Sequence, residues 1–157
     1  MMTTDAANSS ALSLTDRLMF LRDVPIFRGI NNYDFLRDLA VEMVELHFQP
    51  GETIFERGDI GQLLYILSQG QVKIHIGEVE LARLEAGAYF GEMSLFDSDP
   101  RSASVTAMTP CTCLCLSQPQ MQEAILNNPA IALNVIQNLC QRIRRLNQLV
   151  SVGAYAG

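Results

Sequence analysis

The sequence predicts an antiparallel β-barrel of the jelly-roll, or double-stranded β-helix, kind, in an α+β, mainly β chain with short helices before the barrel and further helices after it. Three observations carry that expectation. Between Val44 and Ser117 the chain runs as short apolar stretches separated by turn residues, at the roughly 8–12-residue spacing of sandwiches and barrels. Nothing inside that stretch is long enough for the helix a parallel crossover needs, so neighbouring strands pair antiparallel. On either side of it, apolar residues recur at helical spacing.

Taken in order, Leu14, Leu18 and Leu21 share one helix face, and that helix stops at "DVPIF" because Pro25 disfavours a helical residue before it. A second helix, "NNYDFLRDLAVEM", follows the turn at Gly29. The strands then read "VELHF", "ETIFE", "LLYILS", "QVKIHI", "ELARL", "SASVTA" and "CTCLCLS", with "QPGE", "RGDIG", "SQGQ", "GEV", "EAGAYFGE" and "MTP" as punctuation. Ser117 as a cap and Pro119 open a helix over "PQMQEAILNN", and Asn128-Pro129 repeats the signal before a longer helix reaching about Val150. In that helix Ala132, Ile136, Leu139, Ile143, Leu146 and Val150 alternate at spacings of four and three, as in a coiled-coil seam. The predicted organisation is a flexible tail over 1–13, a single domain over 14–150 (helices 14–43, barrel 44–117, helices 118–150) and a second tail over 151–157.

A chain of 157 residues with 48% apolar and 18% charged residues falls in the ordinary globular class and can bury about 70% of its unfolded surface. Its formal charge of −6 argues against a surface broadly attractive to nucleic acid, so no direct DNA binding is expected and an anionic ligand would need local cations. No run of eighteen apolar residues predicts a membrane span, and the first residues lack the pattern of a secretory signal, so a cytoplasmic protein is expected.

The stretch "FGEMSLFDSDPRSASV", residues 90–105, breaks both helical and strand periodicity and reads as a functional loop. Gly91 permits close backbone approach, and a helical turn beginning near Glu92 would point unpaired N–H groups at an anion. Arg101 supplies a planar, permanently charged donor fork, and Ser102 a hydroxyl and a backbone N–H, so the two could cradle a phosphate. Glu92 would repel that phosphate unless the ligand also offered a hydroxyl a few ångströms away. A ribose 2′-hydroxyl beside a cyclic phosphate meets both demands.

That stretch closely resembles the phosphate-binding cassette of the cyclic nucleotide-binding domain family, which includes bacterial catabolite activators, protein kinase A regulatory subunits and cyclic-nucleotide-gated channels. The resemblance runs from about Asp23 to Val150 through "DVPIF", "QPGETIFERGD", "LLYILSQGQVKI" and "LEAGAYFGE", with Gly51, Gly58, Gly70 and Gly87 at the family's turns. It implies that Glu92 contacts the ribose, Arg101 and Ser102 the cyclic phosphate, Ala103 the phosphate through its backbone, and Gly91 the sugar region. Met93 and Ser94 are counted in the same candidate site. Because the family's last helix folds over the purine as a lid, Arg142, Arg145 and Asn147 become candidate base-side contacts. The implied protein is a sensor of cyclic AMP, or alternatively of cyclic GMP, since the Ser102 hydroxyl can reach a guanine amino group. No enzyme activity, cofactor or metal is expected. Signalling would pass through movement of the C-terminal helix to a separate effector protein, and the 129–150 helix would pair with a second copy in a homodimer.

Other motifs read as structure. Three alternate thiols in "CTCLCLS", Cys111, Cys113 and Cys115, stand about 7 Å apart along one face of a strand, too far to share a zinc, and are expected as core thiols; Cys140, also without a CxxC partner, is expected as a reduced, buried thiol like them. Arg57-Gly58-Asp59 is a tight turn between strands. The other class of function a jelly roll can carry, a cupin-like metal-dependent enzyme, needs two or three clustered histidines. The chain has two in all, His47 and His75.

Overall fold

The computed structural model describes residues 11–156. Helix α1, Leu14–Arg22, begins at Ser13, whose hydroxyl accepts from the Asp16 N–H, and buries Leu18 and Leu21. A 3₁₀ turn over Pro25–Phe27 leads to α2, Tyr33–Glu42, capped by Asn32. The strands are β1 Val44–Phe48, β2 Thr53–Phe55, β3 Leu63–Gln69, β4 Gln71–Ile76, β5 Val79–Glu85, β6 Tyr89–Phe90, β7 Ser104–Ala107 and β8 Cys111–Ser117, with helix α3, Glu92–Asp97, between β6 and β7. Helices α4, Gln118–Asn127, and α5, Ala130–Ala156, complete the chain. A capping box between Ser117 and Gln120 sets the start of α4, where the Ser-Gln-Pro sequence placed it.

The strands form two four-stranded sheets, ordered β1-β8-β3-β6 and β2-β7-β4-β5, antiparallel throughout, as expected of a jelly roll. Period-two alternation sorts the side chains of β3 and β8 into two cores. Leu64, Ile66, Leu114 and Leu116 face the helices and join Leu21, Phe27, Leu39, Met121 and Ile131. Tyr65, Leu67, Cys111, Cys113 and Cys115 face the other sheet and join Val72, Phe90 and Val105. The three strand thiols are therefore buried as expected, whereas Cys140 is exposed, on a side of α5 that the domain leaves uncovered; burial pushes the Cys115 thiol up to about 12 and raises Cys113 as well.

Three further expectations are corrected. "AYF" within the punctuation "EAGAYFGE" is a two-residue strand, β6, paired through Tyr89 and Phe90 with Ile66 and Tyr65. Residues 11–13, placed in a loose tail, are tied down: the Leu12 N–H donates to Glu45 Oε1 at 2.9 Å, and Ser13 caps α1. The last helix does not stop near Val150 but continues to Ala156, since no proline interrupts it. The rest of the predicted tails, residues 1–10 and 157, lies outside the described residues.

The seam on α5 divides. Of its six residues Ala132 and Leu139 are half-buried, Leu139 packing on the helix-side core, while Ile136, Ile143, Leu146 and Val150 are exposed together with Leu133 and Leu149; the residues of the helix that are fully buried, Ile131 and Val135, lie outside the predicted seam. From Ile143 to Ser151 every residue is exposed. The side-chain amide of Asn134 anchors the start of the helix by donating to the Ile26 and Arg28 carbonyls at 3.0 and 2.9 Å. No described helix is long and apolar enough to cross a membrane.

Candidate functional site

Gly91 turns the chain from β6 into α3 with φ 84°, in the left-handed region that favours glycine. A Cβ there would come within 2.8 Å of Arg101 Nη1 and 3.1 Å of the Leu63 carbonyl. Past α3, the main chain of Arg101 is gripped by the β2–β3 loop: its N–H donates to the Asp59 carbonyl, and its own carbonyl accepts from the Gly58 N–H, both at 2.8 Å. The Arg57-Gly58-Asp59 turn thus holds the backbone of Arg101.

The side chain of Arg101 is held as tightly. It is 4% exposed, and donates from Nη1 to the Gly91 carbonyl at 2.6 Å and from Nη2 to the Leu63 carbonyl at 2.8 Å. Its Cζ lies 4.2 Å from the ring centroid of Phe55 and 6.0 Å from that of Tyr65. Those rings belong to an aromatic cluster completed by Phe90, which stacks on Tyr65 at 5.2 Å. None of the ion pairs among the described residues involves Arg101, and its Nε is the one buried side-chain nitrogen or oxygen there without a hydrogen-bond partner. Burial lowers its pKa, and the field of Tyr65, Glu92 and Asp59 only partly restores it. A desolvated cation with an unused donor is chemically prepared for an anion.

Glu92, at the start of α3, is 1% exposed, and its Oε1 accepts from Arg142 Nη1 of α5. Arg142 Nη2 also donates to the Tyr89 carbonyl at 3.3 Å, and its Cζ lies 5.9 Å from the Tyr89 ring. The second oxygen of Glu92 has no hydrogen-bond partner among the described residues. Tyr89 is pushed up to about 12, first by burial and then by the Glu92 charge, with Arg142 and Asn138 pulling the other way.

The structure brings Gly91, Glu92, Ser94 and Arg101 together, with Ser94 buried, Ser102 exposed and Ala103 half-buried beside them; Met93 points outward, 49% exposed. Arg142 reaches the site, where it donates to the carboxylate of Glu92. Arg145 and Asn147 are exposed, without a hydrogen-bond or ion-pair partner among the described residues. Sequence reasoning missed Phe55, Gly61, Leu63 and Tyr65 around the guanidinium. Of these only Gly61 left a local signal, a second glycine just after the tight turn. His47 and His75 lie in different sheets, bonded to Glu45 and Thr112 and to Thr106 and the Gly77 carbonyl, and no described group of three His, Cys, Asp or Glu could hold a metal ion.

Residues 45–128, over half the chain, match the family model of the cyclic nucleotide-binding domain. The chain belongs to that family. Among its curated relatives, the "cGMP-dependent protein kinase" of Plasmodium berghei is 36% identical over 130 residues, covering 77% of this chain and 15% of the kinase. The "Cyclic AMP receptor protein" of Thermus thermophilus is 35% identical over 130 residues, covering 79% of this chain and 59% of the receptor. The chain therefore spans only part of the length of these relatives. The crystal structure of the Thermus thermophilus catabolite activator protein superposes with a TM-score of 0.73 at 29% identity, covering 82% of this chain and 62% of that one. The regulatory domain of Toxoplasma gondii PKA, crystallised with cAMP, superposes at 0.70 with 25% identity, covering 80% and 49%. These solved structures share the two-sheet jelly roll with flanking helices described above.

Proposed function

We propose that the chain is a receptor for a purine 3′,5′-cyclic nucleotide, binding without chemical turnover. One observation carries the reading: Arg101 is buried with no counter-ion and a spare Nε–H, beside a buried carboxylate with one oxygen still unbonded. A cyclic phosphate supplies the missing anion, and the neighbouring ribose 2′-hydroxyl supplies a donor to Glu92, so the two opposite charges of the site answer two groups of one ligand. Ser102 and Ala103 flank Arg101 and offer backbone N–H groups to the same phosphate.

Cyclic AMP is the preferred ligand, in keeping with the relatives named for it. Cyclic GMP is the second reading, favoured by the exposed hydroxyl of Ser102, which has no partner among the described residues, and by the relatives named as cGMP-dependent kinases. A ligand hydroxyl on Glu92 would meet the carboxylate that Arg142 already holds, so occupancy would be felt by α5 and passed to an effector protein, with α5 pairing in a homodimer. The four free thiols, three of them buried, fit a reducing compartment and a cytoplasmic location. The expected lack of contact with DNA draws no support from the relatives, one of which is named a "CRP-like cAMP-activated global transcriptional regulator".

Calorimetric titration with cyclic AMP, cyclic GMP and linear AMP tests the reading. Binding of a cyclic nucleotide, with a rise in melting temperature and much weaker response to linear AMP, is expected. No heat and no thermal shift with either cyclic nucleotide would overturn it.

A further inference from the structure

Arg101 poses a physical problem that the phosphate alone does not solve: before any ligand arrives, a guanidinium must stay buried without a carboxylate in contact with it. Two main-chain carbonyls, of Gly91 and Leu63, satisfy one end of the fork but carry no net charge. The Glu92 and Asp59 carboxylates act on it only from a distance, outside any ion pair, and the remaining direct contact is the face of Phe55, 4.2 Å from Cζ, backed by Tyr65 at 6.0 Å. An aromatic face is a region of negative potential, and its attraction for a cation is strongest where water is excluded. Phe55 is itself fixed, since it packs at 5.7 and 6.0 Å on the Tyr65 and Phe90 rings, which are stacked nearly parallel.

We infer that Phe55 is a positioning residue of the anion site, an aromatic seat that holds the Arg101 guanidinium desolvated and aimed, and thereby sets the affinity for the ligand's phosphate. Phe55 lies on β2, outside the 90–105 stretch, and touches the phosphate only through Arg101. An aliphatic side chain of similar bulk would fill the same space in the inter-sheet core but would take away the negative face on which the cation rests. The guanidinium would then turn toward water, and each binding event would have to strip and reorder it. The ring face is what matters, so tyrosine should substitute and leucine or methionine should not.

This inference rests on the proposed reading of the site as a phosphate receptor, and its test separates the two. In ligand-free protein, the Arg101 Nε–H signal in nitrogen-15 NMR should be displaced upfield by the ring current of Phe55, and the displacement should persist in Phe55→Tyr and vanish in Phe55→Leu and Phe55→Met. Titrated with cyclic AMP and cyclic GMP, Phe55→Leu should bind about ten- to thirty-fold more weakly than the unaltered protein, and Phe55→Tyr within about three-fold of it. If the unaltered protein binds neither nucleotide, the receptor reading fails while the ring-current signal still decides whether the seat exists. If it binds, and Phe55→Leu binds equally or more tightly, the seat has no part in recognition. If neither aliphatic variant folds, absence of the upfield displacement in the unaltered protein, or a tyrosine variant that binds as weakly as Arg101→Ala, overturns the inference.

Discussion

Arg142 on α5 donates to Glu92 on α3 across fifty positions of sequence, and the carboxylate of that pair is 2% exposed while the guanidinium is 35% exposed. The pair fastens the long helix to the strand-to-helix turn at Gly91. Its two halves are unequal: losing Arg142 strands a charge in the interior, whereas losing the Glu92 charge releases an arginine that can reach water. Arg142→Ala should therefore destabilise the protein by about 2 kcal/mol, below the range for fully buried pairs because of the exposed guanidinium, and Glu92→Gln should cost less. Denaturant unfolding of both variants checks the order, and equal costs would contradict it.

Gly61 makes a second expectation. Its φ does not require glycine, yet a Cβ built there would lie 2.0 Å from Arg101 Nε and 2.1 Å from Cζ. Gly61→Ala should leave the backbone undisturbed and drive the guanidinium off its seat, weakening cyclic nucleotide binding about ten-fold with little change in melting temperature. Arg101→Ala should weaken binding by about 2–5 kcal/mol and Arg101→Lys should recover only part, because an ammonium cannot reproduce the fork. Titration calorimetry on the three variants is the measurement, and an unaltered affinity in Gly61→Ala would show that the arginine has another position as good.

Tyr89 should leave an alkaline signature. Its folded pKa of about 12 lies above the ordinary value of 10.0, so between those values the native state keeps a proton that the unfolded chain has released. The stabilisation is whole below pH 10 and is lost as pH climbs toward about 12, at no more than about 1.4 kcal/mol per pH unit. Burial also raises Tyr65, so two of the four tyrosines should ionise late when tyrosinate absorbance is followed. Arg142→Ala removes a cation that favours the phenolate and should move the Tyr89 midpoint higher. Four tyrosines ionising together near pH 10 would contradict the burial of these rings.

The divided seam of α5 sharpens the dimer expectation. Leu139 packs on the helix-side core, so a charge there should damage the fold, whereas Ile136 and Ile143 are 54% and 58% exposed. Ile136→Glu with Ile143→Glu should yield monomers that still bind nucleotide. Light scattering of the unaltered protein and the double variant decides it, and a monomer in both removes the homodimer.

Much of the fold was legible in the sequence because its signals are local. Ser117 with Pro119 marked the cap of α4 and its course to within one residue at each end, and the turn glycines separated the strands. Strand β6 was not legible because two residues hold no period, and Tyr89-Phe90 is a strand only by virtue of β3 lying beside it. The site divided along the same line. Gly91, Glu92 and Arg101 carry their chemistry within ten positions, while Phe55 and the Leu63 carbonyl reach Arg101 only through folding of the β2–β3 loop. Arg142 was legible as a cation on the right helix, but its partner depended on how far α5 rotates over the barrel. The periodicity of α5 showed that it has an apolar seam, and only packing could show which part of that seam the domain itself covers.

Strand β8 has β1 on one edge and β3 on the other, with Leu114 and Leu116 serving one core and Cys113 and Cys115 the other. It is a party wall between two rooms. Neither the helical layer nor the space between the sheets can loosen without exposing one of its faces, so the two compartments should melt as one cooperative unit rather than in succession. The amide protons of residues 113–116, hydrogen-bonded on both sides inside that wall, should be the last in the molecule to exchange with solvent, and at the rate of global unfolding.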